Sequence, residues 1–378
     1  MSALRRVTGT RLTAGIVAHS HLVDVCDAQV RHHSLVSLRS EMAQQPAVVR
    51  RLLDEGWPEA RLLVKPLSGV DHLTIAARGS SDNAATYGKY LFESCAAVVT
   101  ALAAPSLVTR YKMPPSFARG GVIGISQSGA APDVAAVLAE ARSARAPTIA
   151  ITNRANSLLA KTAEHTFLLR CGAERAIAAT KTYTATCVAL ALLAANLAEA
   201  RGRSALSLAG LPEAVVEAGE QEAGAARLAR RIGKSRRIIV LGRGYEFATA
   251  LEGALKIKEL ARVWAEPYSS ADFAHGPIAL LEPGVPVLLF AARGSAEREA
   301  RAMVRTLHAR GAKVYAVTND VRVAEAADDA VLLTAPLSEA LTAISFAVVA
   351  QQVAVEIAIR HGHDPERPSG LSKVTRTR

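Results

Sequence analysis

Short runs of apolar residues recur along the chain, and each run ends in small polar residues or glycine. In the first half the runs cover residues 73–77, 121–125 and 148–151. Apolar runs of this length, separated by longer segments with helical periodicity, predict buried strands that alternate with helices. Such alternation is typical of an α/β fold in which a doubly wound parallel sheet is flanked by helices on both faces.

The same pattern recurs in the second half of the chain. Apolar runs cover residues 237–241, 285–290 and 313–317. In each half an Arg-Gly pair follows the first run and a Thr-Asn pair ends the third, and the spacing between these pairs differs by one residue. Matching order and spacing predict a duplicated domain.

The duplication suggests a division of the chain into four segments. A helical pattern over residues 41–55 marks the start of the first domain. We therefore expect a flexible N-terminal extension at 1–36, a first domain at 37–215, a second domain at 216–360 and a C-terminal tail at 361–378.

The composition narrows the class of partner. Half of the 378 residues are hydrophobic and 4% are aromatic, and the net charge is +11. Nucleic-acid binding would need clustered basic residues with aromatic platforms, whereas the arginines here are scattered. The charge therefore predicts no nucleic-acid partner, and it suits small anionic substrates through electrostatic steering.

The cysteines and the apolar stretches indicate the cellular environment. Cys26, Cys95, Cys171 and Cys187 follow no CxxC or Cys/His spacing, which predicts no metal and a reducing cytoplasm. The apolar stretch at 187–195 is shorter than the roughly 20 residues that cross a bilayer, and no secretion signal is recognisable. We therefore expect a cytoplasmic protein without a membrane partner.

A polar cluster follows the second predicted strand at Ser126, Gln127, Ser128 and Gly129. Free backbone N–H groups and the helix dipole at a helix start favour an anion, and Gly129 lets the backbone approach a ligand closely. Ordinary helix capping by serine is the alternative. Neither a P-loop nor a complete dinucleotide fingerprint is present, so a nucleotide cofactor is disfavoured.

A second candidate cluster lies on a predicted helix. Glu252, Lys256 and Glu259 are spaced so that they share one helix face. A ladder of exposed salt bridges is the alternative interpretation. His275 precedes Gly-Pro in a segment, 266–277, that we predict to be a loop, and histidine is the side chain best suited to proton transfer near neutral pH.

Four motifs together resemble a known family. They are Ser-Gln-Ser-Gly at 126–129, Ala-Leu-Glu-Gly-Ala-Leu-Lys-Ile-Lys-Glu at 250–259, Ala-His-Gly-Pro at 274–277 and Leu-Ser-Lys-Val-Thr at 371–375. Over residues 40–378 the chain resembles the sugar isomerase (SIS) double-domain proteins. Within that family it is similar to the isomerase half of glutamine–fructose-6-phosphate aminotransferase and to the SIS-type glucosamine-6-phosphate deaminases.

The resemblance implies a role for each motif residue. The residues that would hold the phosphate and the sugar are Ser81, Ser126, Gln127, Ser128, Gly129 and Thr180. Glu259 would move a proton between sugar carbons 1 and 2, as a base that burial would make effective, with Glu252 and Lys256 as electrostatic support. His275 would assist ring opening from the neighbouring subunit of a homodimer, and Lys373 would close over the substrate. The family needs neither an organic cofactor nor a metal for this chemistry.

The resemblance leaves the exact reaction open. About 40 residues precede the SIS region, which is too short for the glutaminase domain of the aminotransferase, so we expect deamination of glucosamine 6-phosphate to fructose 6-phosphate and ammonia. Ala131 and Ala179 stand where relatives carry hydroxyl residues, each loss worth about 0.5–1.5 kcal/mol. These changes keep open a deglycase acting on a fructosamine-type phosphate. A non-catalytic sugar-phosphate sensor is the alternative outside the enzymes.

Overall fold

A computed structural model of the protein describes residues 37–373. The predicted N-terminal extension at 1–36, which includes Cys26, lies outside the described residues, as do residues 374–378 of the predicted tail.

The first sheet has five parallel strands in the order β2-β1-β3-β4-β5. Their bounds are β1 (His72–Ala76), β2 (Val99–Leu102), β3 (Gly120–Ile125), β4 (Thr148–Thr152) and β5 (His165–Leu168). β3 is buried along its whole length, as expected for a central strand covered by helices on both faces.

The second sheet repeats this arrangement with strand order β10-β9-β8-β6-β7, again parallel throughout. Its strands are β6 (Arg237–Gly242), β7 (Trp264–Ser269), β8 (Pro286–Ala291), β9 (Lys313–Thr318) and β10 (Asp329–Leu332). In each sheet the lobe's first strand lies between its second and third. The common order confirms the predicted fold class and the duplication.

Helices cover the faces of both sheets. Those of the first lobe are α1 (Ser37–Ala43), α2 (Gln45–Leu63), α3 (Ser80–Ala96), α4 (Pro105–Thr109), α5 (Pro132–Ser143), α6 (Leu158–Thr162) and α7 (Lys181–Ala200). Those of the second lobe are α8 (Leu211–Gly219), α9 (Glu222–Ile232), α10 (Glu246–Ala261), α11 (Ser270–Ala274), α12 (Glu297–Ala309), α13 (Val321–Ala326) and α14 (Glu339–Arg360). Single 3₁₀ turns lie at Lys65–Leu67 and Pro277–Leu280.

Two long apolar helices, α7 and α14, form the centre of the molecule. Within residues 37–373 they are the two helices long and apolar enough to cross a membrane by length and composition, but 89% of the most apolar window of each is buried inside the protein. Their apolar composition is therefore explained by the core. The sequence analysis considered only the 187–195 part of α7 and did not identify α14.

The two lobes share this core and are joined by hydrogen bonds. Tyr87 on α3 donates its hydroxyl proton to the carbonyl of Ala340 on α14, with 2.7 Å between the oxygens. The side-chain amide of Gln351 on α14 donates to the carbonyl of Thr180, just before α7, at 3.4 Å. The lobes therefore meet along buried helices rather than through a linker alone.

The edge strands of both sheets were not predicted from the sequence. The strands β2, β5 and β10 have four residues each, and these three and the six-residue β7 are only partly buried, so they lack the continuous apolar run that marks the central strands. The predicted helix at 41–55 is also two helices, α1 and α2, and α2 continues to Leu63 through an internal Pro58. The apolar periodicity therefore placed the end of the helix too early.

A buried carboxyl group links α10 to α14. Glu246 is fully buried, and it accepts hydrogen bonds from the hydroxyls of Thr249 (2.8 Å) and Thr342 (2.7 Å). Burial raises the pKa of Glu246 to about 7, and the two hydrogen bonds oppose that rise only in part.

This raised pKa predicts a specific pH dependence of stability. Between about pH 4.5 and pH 7 the folded chain holds a proton on Glu246 that the unfolded chain releases, so the free energy of unfolding falls as pH rises through this window. The loss from this group is on the order of 3 kcal/mol. Replacing Glu246 by Gln should remove this part of the pH dependence, measured by thermal melts from about pH 5 to pH 7.5. Glu213→Gln, on the surface of α8, should keep the wild-type slope, and an unchanged slope in Glu246→Gln would contradict the assignment.

Candidate active site

The Ser126–Gly129 segment forms a tight turn between β3 and α5, which we call the cradle. Gly129 has φ of +63°, and a side chain there would collide with the side chain of Ser157. The backbone N–H of Gly129 donates to the carbonyl of Ser126 at 3.0 Å, which closes the turn. Glycine is therefore required here by both conformation and space.

Serine capping does not explain the cradle. The residue at the N-cap of α5 is Ala131, and it makes no side-chain capping hydrogen bond. The Ser128 hydroxyl instead accepts from the N–H of Ala130, before the helix begins, at 3.3 Å. The capping alternative is therefore wrong, and the start of α5 faces the cradle without a side-chain cap.

A second polar turn lies at the same edge of the first sheet. Ser80 and Ser81 begin α3, which follows β1, and β1 is the hydrogen-bonded neighbour of β3. The Nε of Arg78 donates to Asp133 at 2.7 Å and so joins the end of β1 to the first turn of α5. Because the strands are parallel, the Ser81 turn and the cradle open on one face, where ligands bind in such sheets.

The predicted acid–base face of α10 is buried. The side chains of Glu252 and Lys256 are each 1% exposed, and their charged atoms lie 3.4 Å apart. The Nζ of Lys256 also donates to the carboxylate of Glu259, whose side chain remains 25% exposed. The alternative of an exposed salt-bridge ladder is therefore wrong. Burial was expected for Glu259, but Glu252 and Lys256 are the more deeply buried residues.

The burial of this pair changes its proton affinities. Burial raises the pKa of Glu252, while the charge of Lys256 opposes the rise. Burial by itself lowers the pKa of Lys256, but the carboxylates of Glu252 and Glu259 more than offset this effect and raise it. Lys256 is therefore a buried cation at neutral pH, held between two acidic side chains.

One hydrogen bond connects this helix face to the first lobe. The side-chain amide of Asn83, on α3, donates to Glu252 Oε2 at 2.8 Å. Asn83 lies two residues beyond Ser81, so the Glu252–Glu259 face of α10 is joined to the helix that begins at the Ser81 turn. The roles assigned to these residues stay a prediction.

The His275 segment differs from the predicted loop. Residues 264–269 are strand β7 and residues 270–274 are helix α11, so only the end of the segment is irregular. His275 lies just after α11, is exposed, and precedes Gly276, whose φ is +132°. Its contribution to a neighbouring subunit stays a prediction.

Lys373 is fixed by a partner that the sequence analysis missed. Its Nζ donates to Glu174 Oε2 at 2.7 Å. The buried carboxylate of Glu174 also accepts from the N–H groups of Thr180 and Thr182, both at 3.0 Å. Glu174 therefore joins the tail to the start of α7. No motif marked it, because a glutamate in an irregular segment carries no periodic signal.

Thr180 presents an unpaired hydroxyl at this junction. Its Oγ1 is buried and has no hydrogen-bond partner within residues 37–373. A buried polar atom without a partner is uncommon in folded proteins and often marks a ligand or water position. Among the same described residues, no group of three or more His, Cys, Asp or Glu side chains is placed to bind a metal ion.

The family of the chain is established by comparison with known sequences. The sequence model of the SIS domain matches residues 67–196 and again residues 231–360. The chain therefore belongs to the SIS domain family and carries the domain twice. The matched segments lie inside the predicted domains at 37–215 and 216–360, whose exact limits stay a prediction.

Curated relatives carry a common name. The chain is 34% identical over 335 residues to a glutamine–fructose-6-phosphate aminotransferase (isomerizing) of Methanothermobacter thermautotrophicus, a match that covers 88% of this chain and 56% of the relative. It is 35% identical over 351 residues to the protein of that name from Gloeobacter violaceus, covering 88% and 57%. The chain thus spans a little over half the length of these relatives.

Solved structures show the same fold. The C-terminal domain of the glucosamine-fructose-6-phosphate aminotransferase of Francisella tularensis superposes with a TM-score of 0.77 at 26% identity, covering 86% of this chain and 96% of that one. A putative phosphosugar isomerase of Silicibacter pomeroyi gives 0.74 at 34% identity, covering 86% and 98%. A glucosamine-6-phosphate deaminase of Thermotoga maritima gives 0.72 at 25% identity, covering 89% and 99%.

The buried pair on α10 predicts a large cost of removing one partner. Glu252→Ala should lower the free energy of unfolding by about 3–5 kcal/mol, because it leaves the Lys256 charge buried with one carboxylate fewer. Urea unfolding would measure the loss. The double variant Glu252→Ala with Lys256→Met should recover part of it, and the surface variant Glu213→Ala should be near neutral. If Glu252→Ala costs no more than Glu213→Ala, the buried pair does not stabilise the fold.

Proposed function

We propose that the chain is a phosphosugar enzyme that isomerises and deaminates an amino-sugar phosphate, with glucosamine 6-phosphate as the first candidate. The observation that carries this proposal is the buried Glu252–Lys256 pair, with Glu259 at its partly exposed end and Asn83 joining it to the first lobe. Proton transfer next to a sugar carbonyl requires an ordered acid–base group, and this one is joined by Asn83 to the lobe that carries the cradle.

The phosphate would be held by the first lobe. Ser126, Ser128 and the turn at Gly129 supply hydroxyl groups and a close backbone approach at the start of α5. Ser81 lies at the same edge of the sheet, and the unpaired hydroxyl of Thr180 is available to the sugar. Gln127 lies between the two serines and would contact the sugar or its phosphate.

Glu259 would be the base in the proposed reaction. It removes the proton from carbon 2 of the open-chain amino-aldose and returns it to carbon 1. A second proton passes from the amine nitrogen to the oxygen on carbon 1, which gives the imine of the ketose. Water then adds to carbon 2 and ammonia leaves, so that fructose 6-phosphate remains. Lys256 orients the Glu259 carboxylate through its hydrogen bond, and Glu252 keeps the Lys256 charge compensated.

Two further groups would complete the site. His275 is exposed at the end of α11, a position from which it would reach the site of a second copy in a homodimer and assist ring opening. Lys373 is held near the start of α7 by Glu174, so the tail is already folded toward Thr180. No organic cofactor enters this mechanism.

Two related reactions use the same groups. The curated relatives are named as aminotransferases, so transfer of the glutamine amide nitrogen to fructose 6-phosphate is one alternative. A deglycase is the other, and Arg78 favours it. Its side chain is 49% exposed beside the cradle, where a guanidinium would pair with an additional carboxylate on a sugar–amino-acid conjugate.

The decisive experiment is a substrate panel on the wild type and Glu259→Gln. The panel contains hexosamine phosphates, fructosamine-type phosphates, and fructose 6-phosphate with glutamine, and it measures ammonia, ketose phosphate and hexosamine phosphate. Wild type should release ammonia from glucosamine 6-phosphate. Glu259→Gln should lower kcat by about 10²–10⁴-fold with little change in KM, because the amide cannot accept the proton.

The controls separate the alternatives. Glu325→Gln, an exposed substitution on α13, should keep full activity. Faster turnover of the fructosamine-type phosphates would favour the deglycase, and hexosamine phosphate formed from glutamine would favour the aminotransferase. Tight phosphosugar binding without turnover would favour a sensor. An unchanged rate in Glu259→Gln would refute the assigned base.

A further inference from the structure

The second lobe contains a counterpart of the cradle. Residues 292–295 follow β8 as residues 126–129 follow β3, and β8 and β3 occupy the same position in sheets of the same strand order. The second turn reads Ala-Arg-Gly-Ser where the first reads Ser-Gln-Ser-Gly. Duplication therefore gives the chain two turns at equivalent positions, of which the proposed function uses one.

The second turn already holds an anionic group from the chain itself. The carboxylate of Glu339 accepts a hydrogen bond from the backbone N–H of Ser295 at 2.9 Å and one from the Ser295 hydroxyl at 3.0 Å. A side chain at Gly294, where φ is +151°, would collide with the same carboxylate. Glu339 therefore packs directly against the backbone of the turn, as a bound anion would.

The residue of the first lobe that is equivalent to Glu339 carries the opposite charge. Glu339 is the first residue of α14, the long buried helix that follows the last strand of the second lobe. The first residue of α7, the equivalent helix of the first lobe, is Lys181. Its Nζ donates to Gln44 and to the carbonyl of Ala173, at 2.7 and 2.6 Å, and not to the cradle. The first residue of the long buried helix is thus a lysine in the first lobe and a glutamate in the second.

Two arginines lie near Glu339. Arg293 lines an open cleft together with Glu339, and Arg243 lines a small pocket together with Glu339. Arg243 also forms an ion pair with Glu299 at 3.4 Å. Removing the Glu339 charge would leave the N–H and hydroxyl of Ser295 beside two cations, a combination suited to a phosphate group.

We propose that Glu339 is an internal anion that closes a second phosphate site, so that each chain binds one phosphomonoester, in the first lobe. The second site is latent: its donors are present and are used by a carboxylate of the same chain. The expected number of one phosphate per chain rests on the proposed function, because it assumes a phosphate in the cradle of the first lobe. The closure of the second turn by Glu339 does not depend on that assumption.

The test is the number of phosphates bound per chain, with radiolabelled inorganic phosphate in equilibrium dialysis on the full-length protein. Wild type should bind one phosphate, and Glu339→Ala should bind one more than wild type. Glu297→Ala removes the same charge two residues beyond Ser295 without touching the turn, so it should keep the wild-type number. Glu339→Ser is the second variant, and circular dichroism melts check that each variant is folded.

The outcomes separate this inference from the proposed function. No gain of phosphate in folded Glu339→Ala or Glu339→Ser overturns the inference, as does a phosphate at Ser295 in crystals of the wild type soaked in phosphate. If wild type binds no phosphate and Glu339→Ala binds one, the result supports the inference and contradicts the assignment of a phosphate to the cradle. Ser128→Ala combined with Glu339→Ala should weaken phosphate binding at the first site and leave the second site unchanged.

Discussion

The organisation of the candidate site depends on one buried cation. Lys256 is 1% exposed, and an ammonium group without partners would be too costly to bury. Its position therefore requires Glu252 and Glu259 on the same helix face, and Glu252 in turn accepts the amide of Asn83 from the first lobe. The need to compensate a single charge thus fixes the orientation of the proposed base and ties the two domains together.

The two halves of the chain differ in the side chains that they carry at equivalent positions. The first lobe has hydroxyl groups at the cradle, where the proposed function places an external anion. In the second lobe the equivalent turn bonds to Glu339, and the helix after the first strand carries Lys256. The two sheets are thus similar in topology, while equivalent positions in the two lobes carry different side chains.

Parts of the site that contact each other are far apart in the sequence. Lys373 meets Glu174, and Glu174 organises the backbone of Thr180 at the start of α7. This ion pair with a buried acid positions the tail, and solvent screens it less than it would screen a pair between two exposed side chains. A glutamate thus organises the N-terminal end of each central helix: Glu174 at α7 and Glu339 at α14.

The sequence by itself determined the α/β class, the duplication, the central strands and the motif positions, because continuous apolar runs and fixed spacing are local signals. It could not show the edge strands, whose burial is partial, or that Glu252 and Lys256 are buried while Glu259 remains partly exposed. The partners of Lys373 and Ser295 were equally hidden. Those features depend on which distant segments pack together, and only the tertiary structure decides the solvation of a charge.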